Sequence, residues 1–273
     1  MNLENIKLYI RKLLFFCRKK IFLNNDEMHI ILCGYPRSGT SLLYNMICSS
    51  LTGFKCEPFE KRFINRLHRA GNYITKSPMD IFDIKNIDRY NVFDKNVKVI
   101  ICIRDIRDVL TSRHPNIPDQ YFISFENSWW PQDKNFNDWK NNAPGIKDIF
   151  NEIVDLTNND TDFLLVKYED IILDIEGVQK SISNFLNVDF QNKFSDFYKH
   201  KDKHPYKYEG RQKAKDQTLV RENKAIDPSR LNKWKNIDYK NRIIQQFEAH
   251  PELFDYLVSY GYEEDMTWYD IYK

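Results

Sequence analysis

Apolar residues recur along this chain in two rhythms. Short unbroken runs at residues 29–33, 73–76, 97–103 and 163–167 have the length and continuity of strands buried on both faces. Between them, apolar positions fall three or four apart. Leu42, Leu43, Met46 and Ile47 do so within 41–50, and Ile81, Ile84 and Ile87 within 79–90. Further stretches of this kind lie at 105–113, 146–156, 177–186 and 240–262. That spacing predicts helices. Strands alternating with helices predict a three-layer α/β fold, a central parallel sheet with helices on both faces. Two long stretches break the rhythm. Residues 115–144 set Trp129, Trp130, Pro131 and Trp139 among polar residues, and residues 200–227 are dense in Lys, Arg and Tyr. Irregular stretches of that length in a compact domain are characteristically lids or binding rims.

The first 28 residues follow a different pattern. Lys7, Arg11, Lys12, Arg18, Lys19 and Lys20 interleave with Ile6, Leu8, Ile10, Leu13, Leu14 and Phe15. No uncharged run there is long enough to span a bilayer or to act as a secretion signal. Residues 1–28 therefore read as a basic amphipathic segment. It either packs on the domain's own surface as a leading helix or makes peripheral membrane contact. Residues 29–273 read as one domain. The expected location is cytoplasmic, with membrane association through residues 1–28.

Composition narrows the classes. A 273-residue chain with 42% hydrophobic and 15% aromatic residues can bury a large core. A net charge of +2 argues against a nucleic-acid partner held by charge alone. The five cysteines, Cys17, Cys33, Cys48, Cys56 and Cys102, form no CxxC pair and no zinc-ligand spacing with His. They read as reduced thiols, and no metal site is expected.

The chemistry concentrates after the first strand. Gly34-x4-Gly39 followed by Thr40-Ser41 has the spacing of a phosphate-binding loop between a strand and a helix. Triphosphate-binding loops place Lys after the second Gly; this chain has Thr40 there, and its cation sits inside the loop at Arg37. Pro36, Arg37, Ser38, Gly39, Thr40 and Ser41 together offer a cation, hydroxyls and backbone donors to one anion. A second cluster follows the strand at 97–103. Arg104 stands where that strand ends, the edge at which open α/β sheets bind ligands. Ser112 lies two helical turns after Asp105, so Arg104 and Ser112 can form a second phosphate clamp.

PRSGTSLL after one strand and RDIRDVLTS after another resemble the two phosphosulfate-binding signatures of sulfotransferases that use 3′-phosphoadenosine 5′-phosphosulfate. Ile74-Thr75-Lys76-Ser77-Pro78 is similar to the family's second-strand KSP segment. Leu165-Val166-Lys167-Tyr168-Glu169-Asp170 is similar to its RYEDL strand end, with Lys167 in place of Arg. Arg230-x3-Trp234-Lys235 is similar to the late basic stretch that closes over the 3′-phosphate. The resemblance runs from about His29 to Trp234. It implies a P-loop-like fold, a 5′-phosphosulfate on Pro36 to Ser41, and a 3′-phosphate on Arg104 and Ser112. Tyr168, Arg230 and Trp234 complete the donor site, and 3′,5′-bisphosphoadenosine is the product. Lys76 would reach the transferred sulfuryl group or the acceptor.

The acceptor hydroxyl also needs a base. In the cytosolic small-molecule branch, a His follows the second-strand Lys by two residues; here that position is Pro78. Tyrosylprotein and heparan sulfotransferases instead use a Glu about twenty residues past the loop cation. The resemblance thus points to Glu57 as base, with Glu60 as the alternative and His68 and His114 as further candidates. Arg37 and Lys76 join Glu57 as the expected catalytic residues. The expected acceptor is a saccharide hydroxyl, which the Trp-rich stretch suits by stacking. Two other readings compete. A nucleoside-triphosphate kinase could use Asp105 as a magnesium carboxylate, but position 40 lacks its Lys. A catalytically inactive nucleotide-binding protein on this fold would have little use for Arg37, Lys76, Arg104 and Ser112 together.

Overall fold

The computed structural model describes residues 10, 27–57, 60–112, 123–131, 139–200 and 226–273, with the backbone alone between 129 and 142. The expected contributions of residues 1–9 and 11–26, of His114, of the Trp129, Trp130 and Trp139 side chains and of the basic stretch at 201–225 lie outside what is described.

The strand that begins the phosphate loop is the middle of the sheet. β1 (Met28–Gly34) has Ile30, Ile31, Leu32 and Cys33 fully buried, as a strand covered on both faces requires. It is followed by α1 (Thr40–Ser50), β2 (Phe54–Cys56), β3 (Asn72–Lys76), α2 (Ile87–Tyr90), β4 (Asn96–Ile103) and α3 (Ile106–Leu110). Next come β5 (Asn127–Pro131), β6 (Trp139–Pro144), α4 (Ile146–Asn158), β7 (Phe163–Lys167), α5 (Tyr168–Leu173) and α6 (Ile175–Leu186). The chain closes with α7 (Ile237–Ala249), α8 (Glu252–Ser259) and α9 (Thr267–Tyr272). The main sheet has the order β2-β3-β1-β4-β7, and every neighbouring pair is parallel. This is the expected α/β class.

Alternation along the strands divides the core in two. Ile31, Cys33, Val99, Ile101 and Ile103 face one layer, with Ile146, Ile149 and Ile153 of α4, Ile243 and Phe247 of α7, and Leu253 and Leu257 of α8. Ile30, Leu32, Ile74, Ile100, Cys102 and Val166 face the other, with Leu43, Met46 and Ile47 of α1 and Val178, Ile182 and Leu186 of α6. All five strands end on the same edge, so the segments following β1, β3, β4 and β7 gather there.

Four elements differ from their sequence expectation. The helix expected at 79–90 is a 3-10 helix over Pro78–Asn86 that continues into short α2. Ile81, Ile84 and Ile87 lie three apart, which aligns them on a helix of three residues per turn, and Ile81 and Ile84 are buried. The helix expected at 105–113 is only the five residues of α3. The helical stretch at 240–262 is two helices, interrupted at Pro251, which has no N–H to continue α7. Finally, the irregular stretch at 115–144 contains an antiparallel hairpin, β5 with β6, carrying a bulge at Ser128/Trp129. Among the described residues no helix is long and apolar enough to cross a membrane. Cys33, Cys48 and Cys102 are buried free thiols, and Cys56 is a half-buried one.

Candidate active site

The loop after β1 is built by close backbone approach. Gly34 has φ +117°, and a Cβ on it would stand 2.2 Å from the carbonyl oxygen of Cys102. The Tyr35 N–H donates to that oxygen at 3.1 Å, which fixes the loop to β4. Ser38 then folds the chain back: its Oγ and its N–H donate to the Tyr35 carbonyl at 2.7 and 3.3 Å. Arg37 and Gly39 both take left-handed backbone, at φ 69° and 84°. Gly39 is the N-cap of the eleven-residue α1, and no side chain caps that helix. The first N–H groups of an α-helix have no intrahelical partner. Those of Thr40, Ser41 and Leu42, with the exposed Arg37 side chain beside them, form a positive concavity suited to an anion. Pro36, Ser38 and Thr40 are buried in its wall.

Lys76 arrives from the end of β3, one strand away. Its Nζ donates to Ser41 Oγ at 2.8 Å and lies 3.5 Å from Glu60 Oε2. Burial pulls the Lys76 ammonium below its ordinary value, and Glu60 works against that pull. Glu60 also accepts from Ser77 Oγ at 3.4 Å. Glu57 is held differently. Both of its carboxylate oxygens accept from the Arg66 guanidinium, Oε2 at 2.9 Å, and its carbonyl accepts from the Tyr44 hydroxyl at 2.8 Å. The segment after Glu60 is tied down by Asp80 of the 3-10 helix, which accepts from Arg62 Nε at 2.6 Å and the Phe63 N–H at 3.1 Å. Burial pushes the Asp80 carboxyl up to about 7 despite those two donors.

Arg104 joins the strand ends on the other side. Its guanidinium donates to the Arg37 carbonyl at 3.3 Å, to Asp108 Oδ2 at 2.8 Å and to the Arg230 carbonyl at 2.5 Å. It also lies over the Tyr168 ring, 4.3 Å from its centroid. The Tyr168 ring in turn sits where a Cβ on Gly39 would be, 2.4 Å away. Arg104 Nε is buried with no hydrogen-bond partner. Asp108 carries the contact onward, because its other oxygen accepts from the Trp234 N–H at 3.1 Å. Burial raises the Asp108 carboxyl against the pull of Arg104. Ser112 lies just past α3, its Oγ donating to the Asp108 carbonyl at 3.5 Å. Arg230 is largely exposed and pairs loosely with Asp227 at 3.7 Å.

The fold thus brings Pro36 to Ser41, Lys76, Arg104, Tyr168 and the 228–235 segment to one sheet edge, with Ser112 close behind. Glu57 sits one strand outward in its own ion pair. His68 lies in the turn after the 3-10 helix at Phe63–Asn65. Sequence reasoning missed Asp108, although its position four residues after Arg104 was the available signal. It also missed Glu169, which accepts from the Asp105 N–H at 3.1 Å and the Tyr262 hydroxyl at 2.7 Å. Burial raises that carboxyl, against those donors. Arg66 and Asp80 carried no sequence signal.

Comparisons with known proteins place this site in context. Residues 27–250 match the family model described as "Sulfotransferase domain". Among solved structures, mouse sulfotransferase SULT7A1 complexed with PAP has a similar fold. Its TM-score is 0.50 at 16% identity, over 94% of this chain and 91% of that one. The sulfotransferase domain from the Synechococcus PCC 7002 olefin synthase gives a TM-score of 0.48 at 20% identity, over 83% of this chain and 94% of that one. No curated protein sequence matches the chain.

Proposed function

Since the chain belongs to the sulfotransferase domain family, whose members move a sulfuryl group from 3′-phosphoadenosine 5′-phosphosulfate to a hydroxyl, we propose that its acceptor is a saccharide and its base a glutamate. Family membership sets aside the kinase reading. The observation that carries the proposal is the edge itself: Glu60 stands beside Lys76, Glu57 lies one strand outward in an ion pair with Arg66, and Pro78 occupies the place of a His.

The donor fits the residues present. The uncapped start of α1 and Arg37 match a 5′-phosphosulfate, and the unpartnered Arg104 Nε is a donor that suits an additional anion. When bound, the donor supplies the sulfuryl group and its own leaving group. Sulfuryl transfer, like phosphoryl transfer, is an in-line displacement in which the protein chiefly positions groups and stabilises charge. Arg37, Thr40 and the loop N–H groups would hold charge developing on the leaving phosphate. Lys76, aimed by Ser41, would reach the bridging oxygen. Arg104, Ser112, Arg230, Tyr168 and Trp234 would hold the 3′-phosphate and its nucleoside.

The geometry favours Glu60 over Glu57 as base. Glu60 contacts Lys76 directly, whereas both oxygens of Glu57 are engaged by Arg66. Turnover with labelled donor, measured against saccharides and phenols, tests both parts. Label should enter saccharides. Glu60→Gln should lower kcat by about 10²- to 10⁴-fold, with affinity for 3′,5′-bisphosphoadenosine retained. Transfer to phenols alone would overturn the acceptor class. A comparable loss in Glu57→Gln, with Glu60→Gln active, would move the base to Glu57.

A further inference from the structure

We propose that the C-terminal segment from Glu263 to Tyr272, beyond the span of the family match, is a positioning strut that sets the donor pocket through Trp234. The inference rests on reading Arg104, Ser112, Arg230 and Trp234 as donor-binding residues.

The segment carrying Trp234 has little structure of its own. Between Asp227 and Asn236 there are only two three-residue 3-10 turns, at Pro228–Arg230 and Lys233–Lys235, separated by Asn232 in left-handed backbone. Short turns of this kind do not fix their own position, so contacts made elsewhere must. On one side, the Asp108 carboxylate joins the Trp234 N–H to Arg104, and Arg104 holds the Arg230 carbonyl. The remaining grip comes from the far end of the chain. The Tyr272 hydroxyl donates to the Trp234 carbonyl at 2.7 Å. The indole of Trp234 meets Trp268 edge-on at 5.4 Å and Tyr272 at 5.2 Å.

Arg107 locks the arrangement. Its guanidinium lies 3.9 Å from the Trp234 ring centroid and 4.4 Å from that of Trp268. It forks onto Asp105 and donates to Glu263 Oε1 at 2.5 Å. Burial alone would lower the Arg107 guanidinium, but Asp105 and Glu263 hold it above its ordinary value. A purely hydrophobic tail would need neither this buried cation nor a hydroxyl on a main-chain carbonyl. These two polar links fix the height and rotation of Trp234, and through Asp108 they fix Arg104.

Tyr272→Phe removes one hydroxyl and keeps the ring. Calorimetric titration with 3′,5′-bisphosphoadenosine should show its affinity falling about fivefold, the worth of one ordinary hydrogen bond. Donor KM should rise in step, with kcat at saturating donor unchanged. Glu263→Gln should behave alike. A doubly substituted Ser112→Ala, Arg230→Ala chain separates the two levels of the argument. If that chain loses affinity while Tyr272→Phe and Glu263→Gln bind as wild type, the strut is overturned and the site reading stands. If the double variant itself binds as wild type, the site reading falls and the strut falls with it. A lower melting temperature in Tyr272→Phe with unchanged affinity would show a packing role only and also overturn the proposal.

Discussion

At the scale of single residues, Gly39 carries two constraints that can be measured apart. Its backbone is left-handed, which costs a residue with a Cβ about 1–2 kcal/mol. It also faces the Tyr168 ring, which stacks against Arg104 and cannot yield without disturbing it. Gly53 has a similar φ of 78° but nothing within 4 Å of the Cβ position. Gly53→Ala should therefore lose about 1–2 kcal/mol in chemical denaturation and keep its affinity for 3′,5′-bisphosphoadenosine. Gly39→Ala should lose more stability and at least tenfold in affinity, on the order of 1.4 kcal/mol of lost binding. Equal effects at both positions would show that Tyr168 adapts. The role of Gly39 was legible in the sequence only as loop spacing. Its contact with Tyr168 was not, because the two residues meet only once β4 and β7 have paired.

The elements that sequence rhythm identified are the ones whose neighbours are regular. β1, β3, β4 and β7 appear within a residue of their expected bounds, since strands buried on both faces have no polar positions to blur them. β2 is three residues long, too short to show a period, and the β5–β6 hairpin lacks apolar alternation. The 3-10 helix is instructive in another way. Its three-residue spacing predicts a helix, and the structure gives that helix three residues per turn. That geometry makes a prediction: Ile84, almost fully buried, should cost about 2–5 kcal/mol when changed to Ala, and the partly buried Ile87 distinctly less. Urea denaturation of the two variants checks it. Equal losses would mean that the two side chains share the core alike.

For the molecule as a whole, His29 sets an acid limit. Its imidazole is fully buried in the central strand, with Nε2 3.0 Å from Thr75 Oγ1. Burial, with Lys95 nearby, lowers its pKa from 6.5 to about 3. Between those values the unfolded chain binds a proton that the folded chain does not. His29 therefore contributes stability above about pH 6.5 that is lost as pH falls toward 3. The loss is on the order of a few kcal/mol. Unfolding midpoints at successive pH values should show this slope in the wild type and a flatter one in His29→Gln. The sequence marked His29 as a strand residue only, because its isolation from water is a property of the assembled layers.

The position of β1 in the sheet also bears on how the chain is made. Of the described strands β1 is the first to leave the ribosome, yet its two partners, β3 and β4, follow far behind it, and the edge strand β7 later still. At about 5–20 residues per second, its apolar row waits for seconds of synthesis before either flank is covered. The strand that later anchors the phosphate loop is thus the one most exposed to aggregation or chaperone capture while the chain is being born.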